Sequence, residues 1–254
     1  MKKLKNVIIL LLVFAAVLSG CSTSSKSGML KVGVRDDIVG LGYLNPATGR
    51  YYGLEIDLAK KLADDLGYAG VEFVTVTPDT RKDMLLNGEV DCLIATYSIE
   101  ESRLKNFDFS PAYFTDYTSI MVERSSLIEH IDDLVGKTTG VLEGANTAPK
   151  LSGKLMELGL ITAEDTKGSS LEYRDTYEAL SEALEDGTVD AVCMDGGVAR
   201  AHMKDDRMIL EDVAGTENYG VATVKGSSLS KPVADAIQKM LDDGTIAGLI
   251  DKWD

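Results

Sequence analysis

The sequence predicts an α/β fold in which helices flank mixed sheets, arranged as two similar lobes. Two observations carry this reading. Strand patterns alternate with helical patterns from residue 30 to the C-terminus. In addition, one unit occurs twice: Gly88-Glu89-Val90-Asp91 leads through Cys92-Leu93-Ile94-Ala95 to Thr96, and Gly187-Thr188-Val189-Asp190 leads through Ala191-Val192-Cys193-Met194 to Asp195. Each copy follows a helical pattern, feeds an apolar strand from a turn, and ends on a polar tip. The copies lie 99 residues apart (88 to 187). Their tips differ in chemistry, a hydroxyl with Arg103 just beyond it in the first and a carboxylate in the second. That pair suits a ligand with a negative and a positive end, such as an amino acid.

Each element follows from local pattern. Leu30, Val32 and Val34 alternate in a strand that ends at Arg35. Gly49 and Gly53 bracket a turn-rich stretch. A helix from about Leu54 sets Leu58, Leu62 and Leu66 on one face, with Ala59 and Ala63 beside them, and Gly67 and Gly70 close it. Residues 71–76 form a strand. Pro78 and Asp79 open a short helix carrying Arg81, Met84 and Leu85 into the first copy of the repeat. Residues 113–122 are extended, 127–134 are a short helical stretch, and 138–142 are a strand. The loop Glu143-Gly144-Ala145-Asn146-Thr147 then enters a helix with Leu151, Leu155 and Leu158. Asp175-Thr176-Tyr177-Glu178 fits an acidic capping box for a helix that turns Leu180, Ala183 and Leu184 inward and leads to the second copy. Residues 218–224 are a further strand. Pro232 starts a helix with Val233, Ile237, Met240 and Leu241 on one face, and Thr245 caps a last one that buries Ile246, Leu249, Ile250 and Trp253.

The chain has 254 residues and is 44% hydrophobic, enough for two lobes of about 100 residues each. Its start reads as a leader. Lys2, Lys3 and Lys5 precede an apolar run over residues 7–18, too short for the roughly 20 residues a membrane-spanning helix needs. Leu18-Ser19-Gly20-Cys21 resembles a bacterial lipoprotein box, so residues 1–20 are expected to be removed and Cys21 lipidated; an ordinary signal peptide is the alternative. Residues 21–28 form a polar, flexible tether. The formal charge is −15, and loss of the leader's lysines makes the balance more acidic. Such a surface argues against nucleic acid, which needs cationic patches, and keeps an exported protein soluble. It also means that an anionic ligand needs a locally positive site. Cys92 and Cys193 sit in different copies of the repeat and read as small buried hydrophobes.

Several chemistries find no support. The sequence has no Gly-x-x-x-x-Gly-Lys loop and no Gly-x-Gly-x-x-Gly. His130 and His202 are the only histidines, and neither has a second ligand candidate nearby, which disfavours a zinc site or a Ser/His/Asp triad. Glu100-Glu101 and Asp242-Asp243 are adjacent acids that read as solvated charge. No metal and no cofactor are expected.

An ordered set of segments resembles the extracellular solute-binding proteins of ABC-type amino-acid importers. They are Gly33-Val34-Arg35-Asp36-Asp37, Gly53-Leu54-Glu55-Ile56-Asp57-Leu58-Ala59, the stretch from Ala95 to Arg103, Phe109-Ser110-Pro111-Ala112-Tyr113-Phe114, Val189-Asp190-Ala191 with Asp195, and Tyr219-Gly220-Val221-Ala222. The resemblance covers residues 30 to 254. It implies a two-lobed, type II periplasmic-binding-protein-like fold with two hinge strands and a ligand held between the lobes. Lobe 1 would comprise residues 29–114 and 219–254, and lobe 2 residues 115–218, with crossovers near Asp116–Thr118 and Asn218-Tyr219. Closure on the ligand is a hinge motion.

The resemblance also assigns roles. Arg103 matches the arginine that grips the ligand's α-carboxylate through paired charge-assisted bonds. Thr96 and Ser98 match strand-end positions that hold the same part of the ligand. Asp195 matches the carboxylate that binds the α-ammonium. Asn146 and Thr147 lie in the loop and helix start of lobe 2 that meet the ligand, where Ala145 replaces the usual Ser or Thr. Arg35, Arg81 and Tyr177 match groups that contact a side-chain carboxylate in the glutamate- and aspartate-binding members. The family's frequent aromatic near Ile38 is missing, which weakens the case for a cationic ligand. The resemblance thus implies a monomeric, non-enzymatic receptor on the outer face of the cell membrane, or periplasmic. It would be anchored through Cys21 and would deliver glutamate or aspartate to ABC transporter permease subunits. Glutamine, cystine or another polar amino acid is the alternative ligand, and a dehydratase-type enzyme with Glu143 as its acid or base is a third reading.

Overall fold

The computed structural model describes residues 28–162 and 170–253. The first lobe opens with β1 (Met29–Val34), in which Leu30, Val32 and Val34 are buried. A small antiparallel sheet of β2 (Asp37–Ile38), β3 (Gly42–Asn45) and β4 (Arg50–Tyr52) follows. The turn-rich stretch before Gly53 therefore holds a strand. Its pairing with Tyr43 and Leu44 is not a local pattern and gave no periodic signal. Helix α1 (Leu54–Asp65) buries Leu54, Leu58 and Leu62 with Ala59 and Ala63, and each buried leucine contributes about 1.5–3 kcal/mol. Then come β5 (Gly70–Thr75), α2 (Arg81–Leu86), the short β6 (Cys92–Leu93) and β7 (Phe107–Phe109).

The chain crosses to the second sheet along β8 (Phe114–Glu123). Between β8 and β9 (Thr138–Leu142) the expected helical stretch is reduced to 3-10 turns, one of them Ile131–Leu134. After β9 come α3 (Thr147–Glu157), β10 (Ser170–Arg174), α4 (Tyr177–Glu185), β11 (Ala191–Asp195), α5 (Gly196–Ala201) and β12 (Arg207–Tyr219). Leu158 falls just past α3 and is exposed. The cap of α4 is Thr176 rather than a box opened by Asp175, because the Thr176 hydroxyl accepts the Ala179 N–H at 3.1 Å. The first half of β12 was not evident from sequence; register shifts between Ile209 and Gly215 break its alternation. The chain returns through β13 (Ala222–Val224) to α6 (Ser230–Asp242) and α7 (Thr245–Trp253). Pro232 sits inside the first turn of α6, where its missing N–H costs nothing.

The two large sheets repeat one plan. The first runs β5-β1-β6-β13-β7 and the second β10-β9-β11-β8-β12. In each, three parallel strands are followed by an antiparallel neighbour. That neighbour is β13 in the first sheet and β8 in the second, so each sheet is completed by a strand from beyond a crossing point. At the crossing β8 and β12 pair with Phe114 opposite Tyr219, Thr115 opposite Asn218 and Asp116 opposite Glu217. Tyr219 also bridges to Ser98 of the first lobe. One apolar cluster containing Tyr113, Met121, Tyr177 and Tyr219 runs through this junction.

Cys92 and Cys193 are buried and unpaired, one in each sheet. The leader, the tether and Cys21 lie outside the described residues, apart from Gly28. Among the described residues no helix is long and apolar enough to cross a membrane.

Candidate functional site

The two repeat tips meet at the junction of the lobes. Thr96 has φ +48°, a left-handed backbone that costs a β-branched residue on the order of 1–3 kcal/mol. Its neighbours hold it there. The buried Glu55 carboxylate, in the first turn of α1, accepts the Thr96 N–H at 2.6 Å and the Tyr113 hydroxyl at 2.6 Å. Arg81 Nη1 donates to the carbonyls of Ala95 (2.7 Å) and Thr96 (3.3 Å). Burial raises the Glu55 carboxyl above the usual range, while the two donors and nearby Arg35 and Arg81 oppose that shift.

Three arginines make this face cationic. Arg103, at the end of a 3-10 turn, donates to the Ser98 carbonyl at 2.7 Å. The guanidinium groups of Arg81 and Arg103 lie over the Tyr97 ring, 4.5 and 4.1 Å from its centroid. Arg35, immediately after β1, sits 2.6 Å from Asp37 Oδ2 and 5.4 Å from the Tyr177 ring centroid. Burial, together with the charges of Arg103 and Arg35, pushes Arg81 down to about 10. It remains a cation at neutral pH, and its Nε has no partner.

The opposing face is acidic. Asp195 ends β11 and is buried, and it accepts the Tyr177 hydroxyl at 3.0 Å. Burial and the neighbouring Glu217 push its carboxyl up to about 6, with Asp116 adding to the effect. Arg35, Arg81 and Arg103 all interact electrostatically with Asp195. The cations of lobe 1 therefore confront the acid of lobe 2 across the junction. Asp116 is held apart by the Gly197 N–H (2.9 Å) and by Arg200 (3.8 Å).

The sequence-predicted residues Arg35, Arg81, Thr96, Ser98, Arg103, Tyr177 and Asp195 thus converge. Ser98 and Asn146 have their side chains engaged within the protein. The Ser98 hydroxyl donates to Glu217, and Asn146 Nδ2 donates to Glu217 (3.0 Å) and to Glu100 (3.1 Å). The Thr96 hydroxyl likewise turns back to the Ala95 carbonyl. Thr147, the first residue of α3, is fully buried with no partner for its hydroxyl. Gly144 packs so closely on lobe 1 that a Cβ would lie 2.3 Å from Asp79 Oδ1, and its φ of +69° also calls for glycine. Glu143, the acid or base of the dehydratase reading, is exposed. Two recesses flank the junction, one of about 450 Å³ beyond Arg35 and Tyr177 and one of about 320 Å³ beyond Tyr97 and Arg103.

Sequence reasoning missed Glu55, Glu217 and Lys150. Glu55 stands in the resembling segment Gly53–Ala59, where the sequence assigns it no role of its own. Glu217 shares a strand face with Tyr219 by two-residue alternation, and Lys150 shares a helix face with Asn146 by four-residue spacing. Those spacings were the available signal, but a charge at such a position normally faces water.

Comparison with known proteins agrees with this architecture. The ABC transporter glutamine-binding protein GlnH of Bacillus subtilis is 29% identical over 278 residues, covering all of this chain and 97% of that protein. The glutamate-binding protein GluB of Corynebacterium glutamicum is 28% identical over 248 residues, covering 91% of this chain and 80% of that protein. Among solved structures, an ancestral arginine-binding protein bound to arginine superposes with a TM-score of 0.78 at 31% identity, covering 89% of this chain and 98% of that one. Residues 30–254 match the family of bacterial extracellular solute-binding proteins, family 3, and the chain belongs to that family.

Proposed function

We propose that the chain is an extracytoplasmic receptor that closes on glutamate or aspartate and delivers it to an ABC importer. The observation that carries the proposal is the set of three arginines on lobe 1, Arg35 and Arg81 buried and Arg103 half-buried, facing buried Asp195 on lobe 2. In this reading Arg103 and the Thr96–Ser98 backbone take the α-carboxylate, and Asp195, oriented by Tyr177, takes the α-ammonium. Arg35 and Arg81 then remain for a second, distal carboxylate, which two guanidinium groups bind through charge-assisted bonds. The relative named for glutamate fits this reading.

A guanidinium-bearing ligand fits less well. The rings of Tyr97 and Tyr177 could stack on a cation, but the protein's own arginines already lie over them. A further cation would also be repelled by Arg35 and Arg81. Glutamine is the second reading. The Bacillus relative is named for it, and its amide oxygen could use the same donors.

A thermal-shift screen of the amino acids, followed by calorimetry, tests the proposal. A ligand at about 1000 times its dissociation constant stabilises by roughly 4 kcal/mol, a shift of several degrees. Glutamate or aspartate should give the largest shift. Tight binding of glutamine or arginine with no response to either acid would overturn it. Attachment through a lipidated Cys21 belongs to the same proposal, and mass spectrometry of the mature N-terminal peptide checks it.

A further inference from the structure

We infer that Glu217, Lys150 and Glu100 form a positioning centre that joins the lobes behind the ligand site and governs how long a ligand is retained. This rests on the receptor reading above. Glu217 is fully buried on β12, where the strand crosses between lobes. It gathers groups from both sides: the Ser98 hydroxyl from lobe 1, the Thr118 hydroxyl (2.7 Å) from β8, and Asn146 Nδ2 (3.0 Å) from the N-cap of α3. Its charge is balanced by Lys150 Nζ at 3.5 Å. A buried carboxylate needs such a cation, because desolvation without a partner is costly.

The same two residues of α3 reach further. Asn146 and Lys150 stand one helical turn apart on one face. Both hold Glu100 of lobe 1, Asn146 at 3.1 Å and Lys150 at 3.0 Å. Lys150 also donates to the Thr216 carbonyl on β12 at 2.6 Å. The start of α3 therefore grips lobe 1 directly through Glu100 and indirectly through Glu217 and Ser98. Separating the lobes breaks the Glu100 contacts and removes the Ser98 donor from Glu217.

This centre is hydrogen-bonded to the proposed site at one residue, and Glu217 also lies near Asp195 and Arg103. Ser98 is held through its hydroxyl by Glu217 and through its carbonyl by Arg103. Displacing Glu217 releases the carbonyl that fixes one Arg103 nitrogen, and with it the aim of the guanidinium. None of the three centre residues needs to touch the ligand for this to follow.

Stopped-flow dissociation and equilibrium binding of glutamate test the inference. Lys150 and Glu100 are partly exposed, so their contribution is moderate. Lys150→Met should raise the dissociation rate by about tenfold and Glu100→Gln by about threefold, with association changed less than about twofold. The double variant should behave like Lys150→Met alone, because both changes break one shared contact. Lys150→Arg should restore most of the residence time. Dissociation rates within about twofold of wild type, or fully additive effects, would overturn the inference. If the wild type binds no amino acid, the receptor reading itself fails, and small-angle scattering of the ligand-free protein then decides the centre. A larger radius of gyration for Lys150→Met than for wild type supports it, and equal radii overturn it.

Discussion

In the first lobe, β6 runs toward Thr96, in a strained backbone beneath three arginines. In the second, β11 runs to Asp195, beside Glu217 and Asp116. The approach to these two ends is nearly the same. Gly88 and Gly187 have φ of +74° and +73°. Asp91 and Asp190 each accept a backbone N–H from the adjacent parallel strand, from Lys31 and Thr138, both at 2.8 Å. Each also returns its own N–H to the carbonyl of that same residue at 2.8 Å. The shared topology places a strand end at the junction, and the residue at that end sets its chemistry. A fold of this kind can face a cationic surface with an acid by changing a few side chains and leaving the scaffold intact.

The strongest way to break the comparison is to neutralise one side at a time. Arg103→Met and Asp195→Asn should each weaken glutamate binding by about 30- to several-thousand-fold, since each leaves a buried ligand charge unpaired. Calorimetry on both variants checks this. If either variant binds almost normally, the zwitterion is not shared between the lobes as proposed.

A smaller effect separates the two jobs within the cationic face. Arg35 makes no hydrogen bond to the Thr96 strand end, whereas Arg81 holds it through the Ala95 and Thr96 carbonyls. Arg35→Met should therefore remove attraction for a distal carboxylate without disturbing the backbone site. We expect a loss of about 30-fold for glutamate and under about fivefold for glutamine, measured by competition. Equal losses would place Arg35 outside the side-chain pocket.

The two faces also differ in their response to pH. The Asp195 carboxyl, raised to about 6 by burial and Glu217, lies above the ordinary aspartate value of about 3.9. In the ligand-free protein the stability from this shift is therefore full below about pH 4 and is lost as pH rises through about 6. Binding an ammonium reverses the preference, because the ligand needs the ionised carboxylate. Affinity should hold from pH 7 to 8.5 and be about tenfold weaker at pH 5 than at pH 7. Arg81 at about 10 stays charged throughout. Asp195→Asn should flatten the profile, and a slope that persists in that variant would assign the titration elsewhere.

The parts legible in the sequence were those written in local period. Alternation in β1, the leucine face of α1 and the Gly-x-Val-Asp turns located the sheets, and the strand-end residues Thr96 and Asp195 followed from the turns. The small sheet β2-β3-β4 and the first half of β12 did not show, because one depends on pairing between short segments and the other is interrupted by register shifts. In the site, each arginine was visible as a residue but its company was not. Arg35 over Tyr177 and Glu217 under Asn146 join segments far apart in the chain, and only the β8–β12 crossing brings them together.

The mildest test returns to the scaffold. Asp91 and Asp190 lie away from the junction, on the turn side of their strands, and both are exposed. Each contributes one side-chain acceptor to a neighbouring strand, a contact of about 1 kcal/mol. Asp91→Ala and Asp190→Ala should each lower the melting temperature by about 2–4 °C. Asp190 also lies 3.8 Å from Lys137, but a surface pair of that length adds little, so the two losses should nearly match. Glutamate affinity should stay within about twofold in both, because neither residue touches the site. A marked loss of affinity in one variant alone would mean that its strand end is held in place by the turn. In that case the repeat would be setting site geometry in one lobe and only stability in the other.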